Sequence, residues 1–412
     1  MKTVGIIAEF NPFHNGHKYI IDQAKEKSGA DKVIVVMSGA FTQRGTPAYM
    51  YKYDRVNCAL FSGADLVLEL PVSYSTATAE AFAFGGVTIL NSIGVTDYLC
   101  FGSENGDLES LTQASQALIN PDEAHSKLIR NALDEGLSFP AARSKAYPGL
   151  SDILDKPNNI LAIEYLKSLS LITSFIKPIT IQRIGDGFHE TKVSSVPSAH
   201  GIRELVSGSK ADIDIESHDF FPTLKNAVPE SALEVMVSTY GKTWPVDIND
   251  FDSIIYYTLL SSTAEELSEL QDMNLDLANK MHKGILSYTN ADQFISDLKS
   301  KEITYSRISR ALIHCLLKQK DYTRDTNGNL LPCPYTRILG FRKDSGDLLR
   351  QIQKEAKIPV ITKAGDASKL LSPNALALFN QTLLSDRIYD FVLSKKYGTH
   401  QKDGCLISPV II

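Results

Sequence analysis

The sequence predicts an α/β fold, a doubly wound parallel sheet followed by a mainly α-helical part, and three observations carry that expectation. Short apolar β-type runs alternate with helical patterns through the first half, as parallel sheets require because each buried strand needs a crossover helix to return. After about residue 207 the strand signals thin out and helical periodicity takes over. Finally, 412 residues are long for one core, so two domains are expected, 1–206 and 207–412, parted at Ser207-Gly208-Ser209.

The strands are read from short apolar runs: Val4 to Ala8, Lys32 to Met37, Leu66 to Leu70, Tyr98 to Gly102 and Ile179 to Arg183. Helical patterns between them span Gly16 to Lys27, Tyr53 to Ser62, Thr78 to Ile93, Leu108 to Leu118, Glu123 to Glu135 and Asn159 to Leu169. The second part carries helices at Ala232 to Tyr240, Phe251 to Leu260, Leu275 to Ile285 and Ala291 to Leu298. Strand-like pieces return late, near Arg337 to Phe341 and Pro359 to Thr362. Sheets of this kind bind ligands at the carboxyl ends of their strands.

Composition narrows the class. Hydrophobic residues at 43% and charged residues at 22% fit a globular chain and speak against disordered and fibrous classes. The apolar stretch Val4 to Ala8 stops at Glu9, short of a signal-peptide core or of the roughly 20 residues that span a membrane, so no membrane partner and a cytoplasmic location are expected. Cys58, Cys100, Cys315, Cys333 and Cys405 are scattered without a CxxC pair, which points to reduced thiols rather than disulfides or a zinc site. No residue is assigned as a metal ligand.

Directly after the first strand comes Glu9-Phe10-Asn11-Pro12-Phe13-His14-Asn15-Gly16-His17, and then an amphipathic helix begins. A turn that opens onto a helix N-terminus suits an anionic phosphate, because free backbone N–H groups and the helix dipole converge there. Gly16 lets backbone approach a ligand closely. His14 and His17 can donate hydrogen bonds to phosphate oxygens as charge builds during displacement at phosphorus.

In this turn the chain resembles the HxGH nucleotidyltransferases, and the Asn-Pro-Phe lead-in strengthens the likeness. The resemblance implies a Rossmann-like ATP-binding domain in which attack on the α-phosphate activates a small substrate. The superfamily's second signature, a Ser-containing turn carrying Ile-Arg, is matched by Ser194 to Arg203, with His200 standing where the pattern has threonine. Ser198 is then a helix cap and phosphate contact, and Arg203 a phosphate clamp. An ordinary capped helix with a surface arginine would read the same way.

Further signatures are Met37-Ser38-Gly39-Ala40-Phe41-Thr42-Gln43-Arg44-Gly45 after the second strand and Phe101-Gly102-Ser103-Glu104-Asn105 after the fourth, together with Lys156-Pro157-Asn158-Asn159-Ile160-Leu161 and Gln182-Arg183-Ile184-Gly185. Together they resemble the bacterial tRNA(Met) cytidine acetate ligases, although a polar residue is more usual at Ala40. That family forms acetyl-adenylate from acetate and ATP, then acetylates N4 of the wobble cytidine of elongator tRNA(Met). Carried over, the resemblance makes His14 and His17 catalytic. It places ATP on Ile7, Ala8, Glu9, Phe10, Asn11, Pro12, Phe13, His14, Asn15, Gly16, His17, Lys18, Tyr19 and Ile20, and on Gly102, Asn159, Arg183 and Ile184. Magnesium is expected only as the companion of ATP. Arg44 fits either an anion contact or a salt bridge.

A formal charge of −6 does not advertise nucleic-acid binding, but the charge is uneven. Residues 301–350 hold ten basic against five acidic residues, a net +5. Arg307, Arg310, His314 and Lys318 recur at spacings of three and four, so on a helix they share one side, away from Ile308, Leu312 and Leu316. With Tyr322, Tyr335 and Phe341 interleaved among the following cations, Arg307, Arg310 and Lys318 are candidate RNA contacts. The plain alternative is a solvated face. At the level of the whole chain, two other readings stay open: a coenzyme-type nucleotidyltransferase that adenylylates a small phosphate, and an RNA-binding protein whose nucleotide pocket is regulatory.

Overall fold

The computed structural model describes residues 1–119, 121–183, 198–208 and 220–412. Its centre is a sheet of eight strands: β1 (Thr3–Ala8), β2 (Lys32–Ser38), β3 (Leu66–Leu70), β4 (Tyr98–Ser103), β5 (Lys177–Gln182), β6 (Thr336–Phe341), β7 (Val360–Ile361) and β8 (Val410–Ile411). The order is β5-β4-β1-β2-β3-β6-β7, with β8 also paired to β6. Strands β1 to β5 run parallel, whereas β6 lies antiparallel to β3.

Alternation along the strands explains why the sheet is covered on both faces. In β2, Val33, Val35 and Met37 enter one apolar core while Ile34 and Val36 enter the other. Both faces are buried, so the run reads as continuously apolar. From β1 the chain builds outward through β2 and β3, then returns to lay β4 and β5 on the other side. The carboxyl ends of β1 and β4 therefore flank the switch point, where such sheets open a crevice.

The first-half helices form where periodicity placed them, within one to two residues at either end; Asn15–Ser28, Lys52–Phe61 and Ala79–Ser92 are examples. The second part is mainly helical, but its late strands are not a separate element of it. β6, β7 and β8 extend the sheet of the first half, so residues from both ends of the chain share one hydrogen-bonded surface. The expected division at 206/207 falls in the last turns of the Ala199–Gly208 helix.

The largest element that periodicity did not reveal is the helix Pro373–Tyr397, capped by Ser372 and closed by Gly398 in the left-handed region. It is tied to the inner strand β3 through a buried ionic cluster. Lys52 Nζ lies 2.7 Å from Glu69 Oε1 on β3 and 2.5 Å from Asp386 Oδ2 on that helix. Burial alone would make these charges costly, and mutual pairing offsets the cost.

Candidate active site

His14 is the N-cap of the first helix. Its Nδ1 accepts the Gly16 N–H at 3.0 Å, and the His14 N–H is donated in turn to Nδ1 of His17 at 3.3 Å. Two orphan N–H groups of the helix end are thereby satisfied by two imidazoles, the arrangement a capping box makes with other side chains. An Nδ1 that accepts leaves the proton on Nε2, so both rings are neutral Nε2–H donors. They stack with centroids 3.8 Å apart. Phe10 and Phe13 pack around His17 at 4.9 and 5.5 Å. Burial, then the positive charges of Arg183 and Arg203, hold His14 down to about 3. Burial, His14 and Arg183 likewise hold His17 well below the ordinary imidazole range.

The turn opens into a cleft of about 1410 Å³. Of the residues expected to hold the nucleotide, Ile7, Ala8, Glu9, Phe10, Asn11, His14, His17, Ile20, Gly102, Arg183, Ser198 and Arg203 line it. The others are placed differently. Phe13 is wholly within the core and Tyr19 packs against it. Pro12 and Gly16 belong to the turn's backbone and are not on the cleft wall. Asn15 donates to the Asn226 carbonyl at 2.9 Å, and Lys18 pairs with Asp22 one helical turn on at 2.5 Å. Ile184 lies outside the described residues, as do the first four residues of the Ser194 to Arg203 motif.

Gly102 earns its place sterically, because a Cβ there would come within 3.2 Å of Ile20 and 3.4 Å of Arg183. Ser198 Oγ accepts the Gly201 N–H at 3.1 Å, and Arg203 Nη1 donates to the Asn11 carbonyl at 2.6 Å. The second signature is thus bound directly to the first turn. Asn159 is a buried brace rather than a wall of the cleft: its Oδ1 accepts the Glu104 N–H at 2.9 Å, while Glu104 Oε2 accepts the Asn159 N–H at 2.8 Å. Glu104 also accepts from Asn158 N and Nδ2, at 3.1 and 2.7 Å. The carboxylate at this helix N-terminus joins two motifs that are far apart in sequence. Asn158, not Asn159, reaches the cleft, 3.4 Å from Arg183 Nη1.

The loop after β2 forms the opposite flank. Gln43 N–H is donated to Glu9 Oε1 at 2.6 Å. Arg44 also lines the cleft, and the Glu9 carboxylate opposite it partly compensates the burial of its guanidinium. Gly45 has φ of +74°, and a Cβ there would stand 2.2 Å from Arg310 N. Arg55 is fully buried and donates to the carbonyls of Glu9, Ser38, Gly39 and Met50, which fixes the exits of β1 and β2 together.

The helix Tyr305–Leu317 corrects the expectation of an outward basic stripe. Arg310 and His314 are buried, as are Ile308, Leu312 and Leu316. Arg310 Nε pairs with Asp272 at 2.6 Å, and Ser309 Oγ donates to the Gly45 carbonyl at 2.6 Å. The helix is a seam against the first half, which periodicity alone cannot separate from a solvated face. Arg307 and Arg310 line the far wall of the cleft, whereas Lys318 is exposed beyond the helix end. Arg324, one of the cations that follow the basic helix, lines the cleft as well, and sequence reasoning missed Arg143 and Lys167 there. All three form ion pairs with Glu164 or Glu80, and no local motif marks Arg143 or Lys167. Among the described residues no group of three or more His, Cys, Asp or Glu is arranged to hold a metal, and no helix is long and apolar enough to cross a membrane.

A parallel sheet with its crevice at the switch point, and paired histidine donors on the first helix N-terminus, defines a nucleotidyltransferase of the α/β class. The chain belongs to the HIGH Nucleotidyl Transferase family, whose model matches residues 1–403, and within it to the tRNA(Met) cytidine acetate ligases. It is 35% identical to the tRNA(Met) cytidine acetate ligase of Acetivibrio thermocellus over 98% of both chains. With that of Clostridium acetobutylicum it shares 38% identity, over 89% of this chain and 91% of the other. Among solved structures it is similar to Thermotoga maritima TmcAL bound with alpha-thio ATP, at 28% identity and a TM-score of 0.88 over all of both chains.

Proposed function

We propose that this protein is an ATP-dependent acetate ligase that forms acetyl-adenylate and transfers the acetyl group to N4 of the wobble cytidine of elongator tRNA(Met). The observation that carries the chemistry is the pair of neutral Nε2–H imidazoles at the mouth of the first helix. Acetate attacks the α-phosphorus of ATP, pyrophosphate leaves, and His14 and His17 donate to the oxygens on which charge accumulates. Being uncharged in the free protein, they need no proton from solvent to act as donors.

Arg183 and Asn158 hold the nucleotide on the flank of β4 and β5, over Gly102. Ser198 and Arg203 close on the phosphates from the Ala199–Gly208 helix. Magnesium comes bound to the phosphates of ATP. The acceptor identity is supported by the names of the relatives. Arg307 and Arg310 on the cleft wall, with Lys318 outside it, are the proposed RNA contacts, and the cytoplasm, where ATP and tRNA meet, is the proposed location.

The test supplies enzyme, ATP, tRNA and isotopically labelled acetate. Label is expected on cytidine, with release of AMP and pyrophosphate. Label entering only from acetyl-coenzyme A, or ADP in place of AMP, would overturn the reading.

A further inference from the structure

Acetyl transfer to an exocyclic amine needs a proton acceptor, and the histidine turn does not supply one. Nδ1 of each imidazole already accepts a backbone N–H, and Nε2 carries hydrogen. Neither ring can take a proton in that state, and burial opposes any charged form.

Glu9 is the first residue past β1, at the head of the same turn, and it lines the same cleft. Two contacts fix it. Arg55 Nη1 donates to its backbone carbonyl at 2.7 Å, and its Oε1 accepts the Gln43 N–H at 2.6 Å. Among the described residues the hydrogen bond from Gln43 is the one its carboxylate accepts, so Oε2 is uncommitted, and the half-buried side chain leaves it open to the cleft. Of the other carboxylates on the cleft wall, Asp272 pairs with Arg310, Glu80 and Glu164 with Lys167, and Asp292 accepts from the Tyr305 hydroxyl at 2.6 Å; Glu204, Asp247 and Glu302 also line it, but none belongs to the histidine turn as Glu9 does.

Topology puts Glu9 at the end of the central strand β1, between two flanks, and the Gln43 N–H ties its carboxylate to one of them. The flank of β4 and β5 holds Gly102, Asn158 and Arg183, whereas Thr42, Gln43 and Arg44 form the flank of β2. A nucleotide over the first flank, with its α-phosphate at the histidine turn, leaves the second for the acceptor.

We infer that Glu9 is the general base of acetyl transfer, receiving the proton of the attacking amine on Oε2. The inference rests on the acetate ligase reading. The amine lone pair forms a C–N bond to the acetyl carbonyl carbon, the C–O bond to adenylate breaks, and AMP leaves with that electron pair. The N4 proton passes to Glu9, and the product is a neutral amide.

Four groups face the carboxyl from the surrounding elements: Arg44 from the loop after β2, Arg55 from the Lys52–Phe61 helix, Arg203 from the Ala199–Gly208 helix and Tyr165 from the Pro157–Leu171 helix. Burial raises its pKa most strongly, against the lowering by the Gln43 N–H and the three arginines. A raised carboxyl is better matched to accepting a proton near neutrality.

Glu9→Gln keeps the size and the acceptor for Gln43, and removes only the basic oxygen. In the full-length protein, single-turnover acetylation of tRNA should fall by about 100-fold or more, well beyond any loss in acetate-dependent exchange of pyrophosphate into ATP. The rise of the transfer rate with pH should vanish in Glu9→Gln and persist, displaced, in Glu9→Asp. Parallel loss of exchange and transfer, unchanged transfer, or a pH rise that survives in Glu9→Gln would overturn the inference. If Glu9→Gln does not fold, Glu9→Asp decides alone: its pH limb moves if Glu9 is the base and stays in place if it is not. Wild-type acetylation in the same series tests the ligase reading separately; its absence removes that reading and the base with it.

Discussion

His14 and His314 are both buried, and burial holds both below the ordinary imidazole range. They nevertheless do opposite work. His314 has both ring nitrogens engaged, Nδ1 with the Gln271 carbonyl at 2.7 Å and Nε2 with Thr76 at 3.1 Å, so it joins the Tyr305–Leu317 helix to the first half. His14 engages only Nδ1, and His17 does the same. A buried histidine whose second nitrogen is uncommitted and faces a cleft is a donor in waiting. One that is satisfied on both sides is a structural joint.

The sharpest way to break this comparison is to remove one histidine of each kind. His17→Ala should slow acetate-dependent pyrophosphate exchange by about 2.7–4 kcal/mol, roughly a hundred- to a thousandfold, with little change in thermal midpoint. A large loss of stability with unimpaired exchange per folded molecule would make the turn structural.

Next in size, Arg310→Ala leaves Asp272 without its partner beside the Gly45 turn, and should destabilise the fold by about 3 kcal/mol in denaturant titration. A loss under 1 kcal/mol would mean the seam does not depend on that pair. His314→Ala should cost about 1–3 kcal/mol, from the groups left unpaired at Gln271 and Thr76. Its exchange rate per folded molecule should be unchanged, the converse of His17→Ala.

A smaller effect comes from the second buried joint, between the sheet and the Pro373–Tyr397 helix. Burial, then the neighbouring Asp386, pushes Asp390 up to about 7 from an ordinary 3.8. Between those values the folded chain holds more protons than the unfolded one. Stability should therefore fall as pH rises from about 4 to 7 and level off above. Comparing thermal midpoints of wild type and Asp390→Asn across that window isolates this contribution; identical slopes would remove Asp390 as its source. Least of all, Lys318→Ala should change stability by no more than about 0.5 kcal/mol, because the side chain is exposed beyond the helix end.

What was legible in the sequence follows the same division. The β1 turn could be read because a strand, a proline-bearing turn, a glycine and a helix start lie within one short segment, where local rules decide the geometry. Gly102 and Arg183 could be placed because they end strands on the rim of the sheet. The brace that Asn159 forms with Glu104 was not legible, since its partner stands 55 residues away and nothing local pairs them. The basic helix had a sound periodicity and the wrong environment: spacing shows which residues share a side, not what covers it. The long Pro373–Tyr397 helix was missed because apolar residues surround it, leaving no single stripe to count.

The account rests on His14 and His17 being neutral Nε2–H donors aimed at the cleft. Nitrogen-15 NMR of histidine-labelled protein measures tautomer and charge together. Both rings should show the Nε2–H tautomer and neither should protonate as pH is lowered from 8 to about 5, consistent with the depression of His14 to about 3. Titration of either ring near 6.5, or a proton found on Nδ1, would contradict the donor geometry on which the activation of acetate depends.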